Sequence, residues 1–266
     1  ISATALVSFV INETMTKEPI VNLRVFKDRS FSIGCLTQFT GFFAFFGSVV
    51  LLTLYVQRLM GYTAFLAGVV FGPAAVINLL IFPIVGRLIR FVDARYLLSF
   101  GILGNALALY LMAHFNLEVG FWNIVWLRVI QAVGLAFFFV PLATVTFIEI
   151  KKEEIGNATA VYNLLRNLGA SFGTSVVATI LSRRAQFHQS RLTEHLTPSD
   201  LSFQQYYEGL RHILPSGFHT IGAIYNELLR QALMMAFNDA FFFCGVLFIL
   251  LLSSLIVLKK AKGLSA

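Results

Sequence analysis

Arg128 and Gln131 stand three residues apart inside Phe121–Ile148, a run with no other charged side chain. On a helix, that spacing puts both on one face. The guanidinium is a permanent cation with five donors, and the amide both donates and accepts. Such a pair suits holding an anionic or polar solute rather than breaking bonds. Arg166 repeats the theme in Asn157–Leu181, with Asn163 at i−3 and Asn167 adjacent. It lies about ten residues, ~15 Å of helix, inside that run. Gln38, Asn78 and Asn105 are single amides in apolar surroundings. Asp239 follows Asn238 near the start of the last apolar run. A carboxylate in such a place can carry protons, although four residues from the run's outer end favours an interfacial, helix-capping role. Each of these side chains also has a plainer reading: Arg128 can snorkel to the outer surface, and the amides can bond between helices.

Bond-making chemistry finds no support. The histidines at 188, 195, 212 and 219 are irregularly spaced, and Cys35 and Cys244 lie far apart in apolar runs. No nucleophile–base pair, phosphate loop or metal spacing is visible. The expectation is no catalytic residue, no metal and no cofactor.

The elements that position these groups follow from composition. Of 266 residues, 58% are hydrophobic and 12% charged. A soluble domain carries about twice that charged share and less apolar surface, which excludes a soluble enzyme or a nucleic-acid-binding domain. Runs long enough to span a bilayer cover Phe31–Val56, Ala64–Val85, Tyr96–Phe115, Phe121–Ile148, Asn157–Leu181 and the stretch 235–258. Continuous rather than alternating runs mean helices, because lipid offers exposed backbone no partner. Gly72-Pro73, Pro83 and Pro141 are expected to break or kink their helices. Gly169-x-x-x-Gly173 permits close helix approach. The opening run Ile1–Ile11 is half the length of a span, and with residues 12–30 it reads as the end of a truncated helix and a charged loop.

Lys and Arg placement sets orientation. Segments 12–30, 86–95, 149–156 and the basic tail 259–266 carry twelve of the twenty cations, whereas the short loops opposite carry only Arg58. The first set, and with it the C-terminus, is therefore expected to be cytoplasmic. The segment 182–234 is read as a long outer loop with helical pieces. One starts near Pro198-Ser199-Asp200, and a second, through Ile221, Ile224, Leu228 and Ala232, leads into the last span. The loop shields the outer mouth or docks a partner.

The order of local motifs resembles the major facilitator superfamily. It is similar to the C-terminal half of the fourteen-helix drug:proton antiporters of the EmrB/QacA family, with the EmrB branch nearest. The likeness runs from Pro19-Ile20-Val21-Asn22-Leu23-Arg24 through Gly61-Tyr62-Thr63-Ala64, Pro83-Ile84-Val85-Gly86-Arg87-Leu88 and Arg128-Val129-Ile130-Gln131. It continues through Asn163-Leu164-Leu165-Arg166-Asn167-Leu168-Gly169 and Arg183-Arg184-Ala185-Gln186-Phe187-His188 to Asn238-Asp239-Ala240-Phe241. The resemblance implies an all-α six-helix bundle, half of an alternating-access transporter, preceded by the tail of a linker helix. It further implies proton-driven efflux of hydrophobic or amphipathic drugs across a bacterial inner membrane. The implied partners are the missing N-terminal half, a periplasmic adaptor and an outer-membrane channel, and the implied energy source is a proton gradient.

On that mapping Gln38, Asn78, Arg128, Gln131, Asn163 and Arg166 line the substrate pathway, and Asp239 is the proton-linked candidate. Gly86, Arg90, Asp93 and Arg95 form the cytoplasmic loop motif. Many family members place an acidic residue where this chain has Arg90, at the point where a gating salt bridge would form. Two rival readings stay open: a non-transporting membrane scaffold or partner-binding subunit, and an importer of a small solute on the same fold.

Overall fold

The computed structural model describes residues 26–194, 201–211 and 217–257. The expectations for Ile1–Ile11, for the basic tail and for a cap at Ser199 or Asp200 lie outside the described residues. The described residues form helices and no strand. These are α1 (Arg29–Leu54, continued by a π-helical turn Tyr55–Leu59), α2 (Ala64–Leu88), α3 (Ala94–Met112), α4 (Phe121–Phe147), α5 (Ile155–Glu194), α6 (Leu201–Arg211) and α7 (Gly217–Leu251). All but α6 are long and apolar enough to cross a bilayer, six in number.

Local chemistry sets the helix starts. The Asp28 carboxylate accepts from the Ser30 and Phe31 amides at 2.8 and 3.4 Å. The Thr63 hydroxyl accepts from Leu66 N–H at 3.3 Å, and Asp93 accepts from Arg95 N–H at 3.1 Å. Each cap satisfies donors that the first turn leaves orphaned. After the π-helical turn the chain reverses at Gly61, whose φ of +68° suits a residue without Cβ.

Of the expected proline breaks or kinks none is a break, and one span boundary needs correction. Pro73 and Pro83 lie within α2 and Pro141 within α4, and each helix continues through them. In a bundle, neighbouring groups tolerate the lost donor. The span expected to end at Leu181 runs on as helix to Glu194, and the last span and the helical piece expected to lead into it form one helix from Gly217. Hydropathy falls where lipid ends, but no Gly or Pro stops the helix between 181 and 194. At 1.5 Å per residue the 40 residues of α5 are ~60 Å long, about twice a hydrocarbon core. The second outer helical piece does run unbroken into the last span.

Helix α1 lies at the centre, packed on α5, α7 and α4; α3 packs on α4 and α7, and α2 leans chiefly on α4. The tightest crossings are made by glycine. A Cβ on Gly169 or Gly173 of α5 would collide with the backbone carbonyls of Phe39 and Phe43 on α1. The expected close-approach motif is thus a packing device. At the C-terminal end of α1, Tyr55, Phe115, Phe237 and Phe241 form an aromatic cluster, with Tyr55 5.3 Å from Phe115 and 5.6 Å from Phe237. Coverage is uneven: the membrane windows of α2 and α5 are 17% and 22% buried, against 44–56% for the other four.

Gly173→Ala should lower the melting temperature in detergent by several degrees, since backbone is the obstacle and overpacking costs about 1–3 kcal/mol. Gly72→Ala, where a Cβ meets open space, should leave it unchanged or slightly raised; equal melts for the two variants would refute this account of the α1–α5 contact.

Candidate substrate pathway

Ser48 sits six residues from the C-terminal end of α1, Phe71 seven from the N-terminal end of α2, and Arg128 seven from the N-terminal end of α4, three ends on one side of the bundle. All three therefore lie ~10 Å below that end, at one level. There Arg128, 8% exposed, is enclosed by α1, α2 and its own helix. Its guanidinium lies 5.2 Å from the Phe45 ring centroid and 4.9 Å from that of Phe71. Nη1 donates to Gln131 Oε1, Gln131 Nε2 donates to Ser48 Oγ at 2.8 Å, and Ser48 Oγ donates to the Phe45 carbonyl at 2.7 Å. The direction of this chain is fixed at its head. Arginine only donates, so the amide must turn its oxygen to Arg128 and its NH2 to Ser48. The snorkelling alternative fails, because the charged head points between helices and not to the surface. The Nε atom has no hydrogen-bond partner among the described residues.

A second level lies deeper. Arg166, half-buried on α5, has its guanidinium 5.8 Å from the Phe42 ring centroid of α1. One turn toward the N-terminus of α5, Tyr162 donates to Gln38 Oε1 at 2.9 Å; Gln38 is fully buried and its Nε2 has no partner among the described residues. Gln38, Phe42, Phe45 and Ser48 recur at helical spacing, so the two levels share one stripe of α1. Asn163 is half-buried on α5, while Asn78 on α2 is half-buried with an unpartnered Oδ1. Neither is drawn into the Arg128 chain. Asn105 donates to the Gly101 carbonyl at 2.8 Å and packs against Gly134 of α4, serving the α3–α4 contact.

The loop residues behave differently. Asp93 caps α3, Arg90 is exposed, and Gly86 faces open space. Arg95 is half-buried. Among the described residues no ion pair joins Arg90, Asp93 and Arg95.

Asp239 is no helix cap. It stands inside α7, and its Oδ2 accepts from Arg184 Nε and from His188 Nε2, each at 2.6 Å. The histidine expected in a loop is therefore a buried partner on α5. Ser48, Tyr162, Phe45 and Phe71 were likewise missed as site residues. The helical spacing of Gln38, Phe45 and Ser48 on α1 was the available signal.

A buried and a half-buried guanidinium, set among aromatic faces and amides in an apolar bundle of six span-length helices, define a multi-pass membrane protein. The chain belongs to the Major Facilitator Superfamily, whose family model matches residues 6–174. Among curated relatives it is 33% identical to the fatty acid resistance protein FarB of Neisseria gonorrhoeae, over 92% of this chain and 48% of that protein. It is 31% identical to the multidrug export protein EmrB of Escherichia coli K12, over 99% of this chain and 52% of that protein. To the probable multidrug resistance protein EmrY of the same strain it is also 31% identical, over 94% and 49%. The chain spans about half the length of the curated relatives it matches.

Gln131→Leu should strand the buried guanidinium and remove the bond that Ser48 Oγ accepts, costing about 1–3 kcal/mol. Arg128→Met combined with Gln131→Leu should recover most of that stability, because removing both members of a buried polar pair is often neutral. Thermal unfolding of both variants checks this, and a double variant no more stable than the single one would count against the network.

Proposed function

We propose that this chain is the C-terminal half of a proton-driven exporter of hydrophobic or amphipathic compounds, seated in a bacterial inner membrane with its C-terminus in the cytoplasm. The observation that carries the proposal is the Arg128–Gln131–Ser48 chain between Phe45 and Phe71, with Arg166 on Phe42 at the next level. Among the described residues neither guanidinium has a carboxylate within ion-pair distance. Such a wall offers an amphipathic solute an apolar face and a positive charge the solute itself can neutralise. Acidic amphiphiles fit best, in keeping with relatives named for fatty acid resistance and multidrug export. The sparsely covered faces of α2 and α5 fit the second half of the transporter, against which this bundle rocks to expose the pathway alternately to the two sides. The scaffold and importer readings remain the rivals; a scaffold has no use for a buried cation. We further infer that the pump works with a periplasmic adaptor and an outer-membrane channel, meeting them at the outward extensions of α5 and α7.

The test is export by the complete protein in inverted vesicles. Under an imposed pH gradient it should extrude a fluorescent acidic amphiphile. Arg128→Gln and Arg166→Gln should each reduce the rate at least tenfold while the protein stays folded and membrane-inserted. Export indifferent to the pH gradient would remove proton coupling; export indifferent to both substitutions would leave the scaffold reading ahead.

A further inference from the structure

We propose that the hollow between the α3–α4 turn and α7 is a binding site for organic ammonium ions, separate from the Arg128 pathway. The hollow holds about 360 Å³, within the size range of small-molecule sites. One wall is the turn from Phe115 to Glu118. The other is a single face of α7, since Gln231, Met234, Met235 and Asn238 recur at helical spacing. Glu118 stands just ahead of α4, so the site lies on the same side of the bundle as Arg128. The walls are pinned. Two successive carbonyls of the turn accept side chains from different helices. Phe115 O accepts from Asn238 Nδ2 at 3.2 Å, and Asn116 O from the Tyr55 hydroxyl of α1 at 2.9 Å. Asn116 Oδ1 accepts from the Glu118 amide at 3.1 Å and tightens the turn. Little of the site has to be ordered when a ligand arrives.

Hydrogen bonding decides the kind of ligand. A carbonyl only accepts, so Asn238 must give Phe115 its NH2 and keep Oδ1. That oxygen is buried and without a partner among the described residues. The Glu227 carboxylate, with Arg230 at 4.0 Å, accepts from Gln231 Nε2 at 2.8 Å, which leaves Gln231 Oε1 over. The Glu118 carboxylate is exposed and has no ion pair among the described residues. Three side chains thus keep acceptors, one of them charged, against a single spare donor on the Asn116 NH2. A carboxylate flanked by amide oxygens answers a cation that carries N–H groups and repels an anion. The unanswered Asn238 oxygen gains a donor when such a cation enters. Its body meets Phe115 and Met234, 6% and 4% exposed, and the exposed edge of Met235. Methionine is unbranched and polarisable, so this wall adapts to an aromatic or alkyl group. The ligand class is therefore a primary or secondary ammonium on a compact apolar body, opposite in sign to what Arg128 attracts. Binding here needs the fold alone, whatever the protein transports.

The test uses the complete protein in phosphatidylcholine nanodiscs, whose headgroup carries no N–H donor, with isotope-labelled methionine methyl groups as reporters. Phenethylammonium should shift the Met234 and Met235 methyl signals, identified through Met234→Leu and Met235→Leu, in a saturable way. Glu118→Gln should weaken that binding about fivefold, the scale of a solvent-facing ion pair. Glu118→Lys, which sets like charge against the probe, should weaken it about tenfold or more. Glu118 is exposed, so both variants should keep the remaining methyl spectrum unchanged. Phenylpropanol and phenylpropanoate, of similar shape but neutral and anionic, should leave the two signals in place at the same concentration. Signals that stay still, that move equally with the alcohol, or that titrate alike in Glu118→Lys overturn the proposal. In phosphatidylethanolamine nanodiscs the affinity should be the same; loss of binding there assigns the hollow to a lipid headgroup and also overturns it. Because binding is read directly, a failure of the export test leaves this site standing.

Discussion

A guanidinium surrounded by hydrocarbon must have its donors answered, and this requirement organises the bundle. At a helix centre the cost of a lone arginine is several kcal/mol. Arg128 meets it with an amide, a hydroxyl and a backbone carbonyl in series, ending on Phe45 of α1, and with two ring faces worth about 0.5–2 kcal/mol each. Those partners come from three helices. The network is therefore a constraint on the relative placement of α1, α2 and α4 at one depth, and not a property of α4 alone. The aromatic content, 28 phenylalanines in 266 residues, serves two purposes: lipid contact outside, and a polarisable lining against the cations inside.

Close helix approach supplies the rigidity that such a network needs. Gly169 and Gly173 bring the α5 backbone against that of α1, and Gly101 does the same for α3 against α4. Side chains cannot slide past contacts made by backbone. The tight contacts thus join α1 to α5 and α3 to α4, while α2 is held mostly by α4. The helix that contributes Phe71 to the cation is the one with the least of its membrane window covered. The lining of the cation and the least covered membrane face thus coincide on α2.

The spans were legible because lipid forces backbone to bond within each segment, so hydropathy alone marks six helices. Arg128 and Gln131 were legible because i and i+3 share a face. Other features were hidden for a physical reason: hydropathy reports where lipid ends and says nothing of pairing between distant positions. The polar stretch after Leu181 remains helical because its residues tolerate helix and its neighbour α7 runs beside it. His188 and Asp239 are 51 positions apart, and no local pattern announces that they meet. Ser48 passed unnoticed because a lone serine in an apolar run usually bonds its own backbone; here it does so and also accepts from Gln131.

That last distinction separates the polar groups into two kinds. Thr53, Ser99, Thr144, Thr146 and Thr179 each donate to the carbonyl four residues back, at 2.7 to 3.0 Å. In these five a short hydroxyl satisfies itself on its own helix and makes no demand on its neighbours, whereas the buried Thr37 hydroxyl finds no partner among the described residues. Amides and guanidinia have too many donors and too long a reach for that. Among the described residues Gln38 Nε2, Asn78 Oδ1 and Arg128 Nε each remain without a partner, on α1, α2 and α4, as do Arg95 Nε on α3 and Asn238 Oδ1 on α7. Asn105 Oδ1 does too, but its side chain is wedged at the tight Gly101–Gly134 crossing, where packing accounts for it. Gln38 and Arg128 each use part of their capacity, on Tyr162 and Gln131, and leave one donor over, at a cost that an apolar residue of similar size would not carry. Their chemistry makes sense if hydrogen-bonding capacity is kept for a solute or for the second half of the transporter.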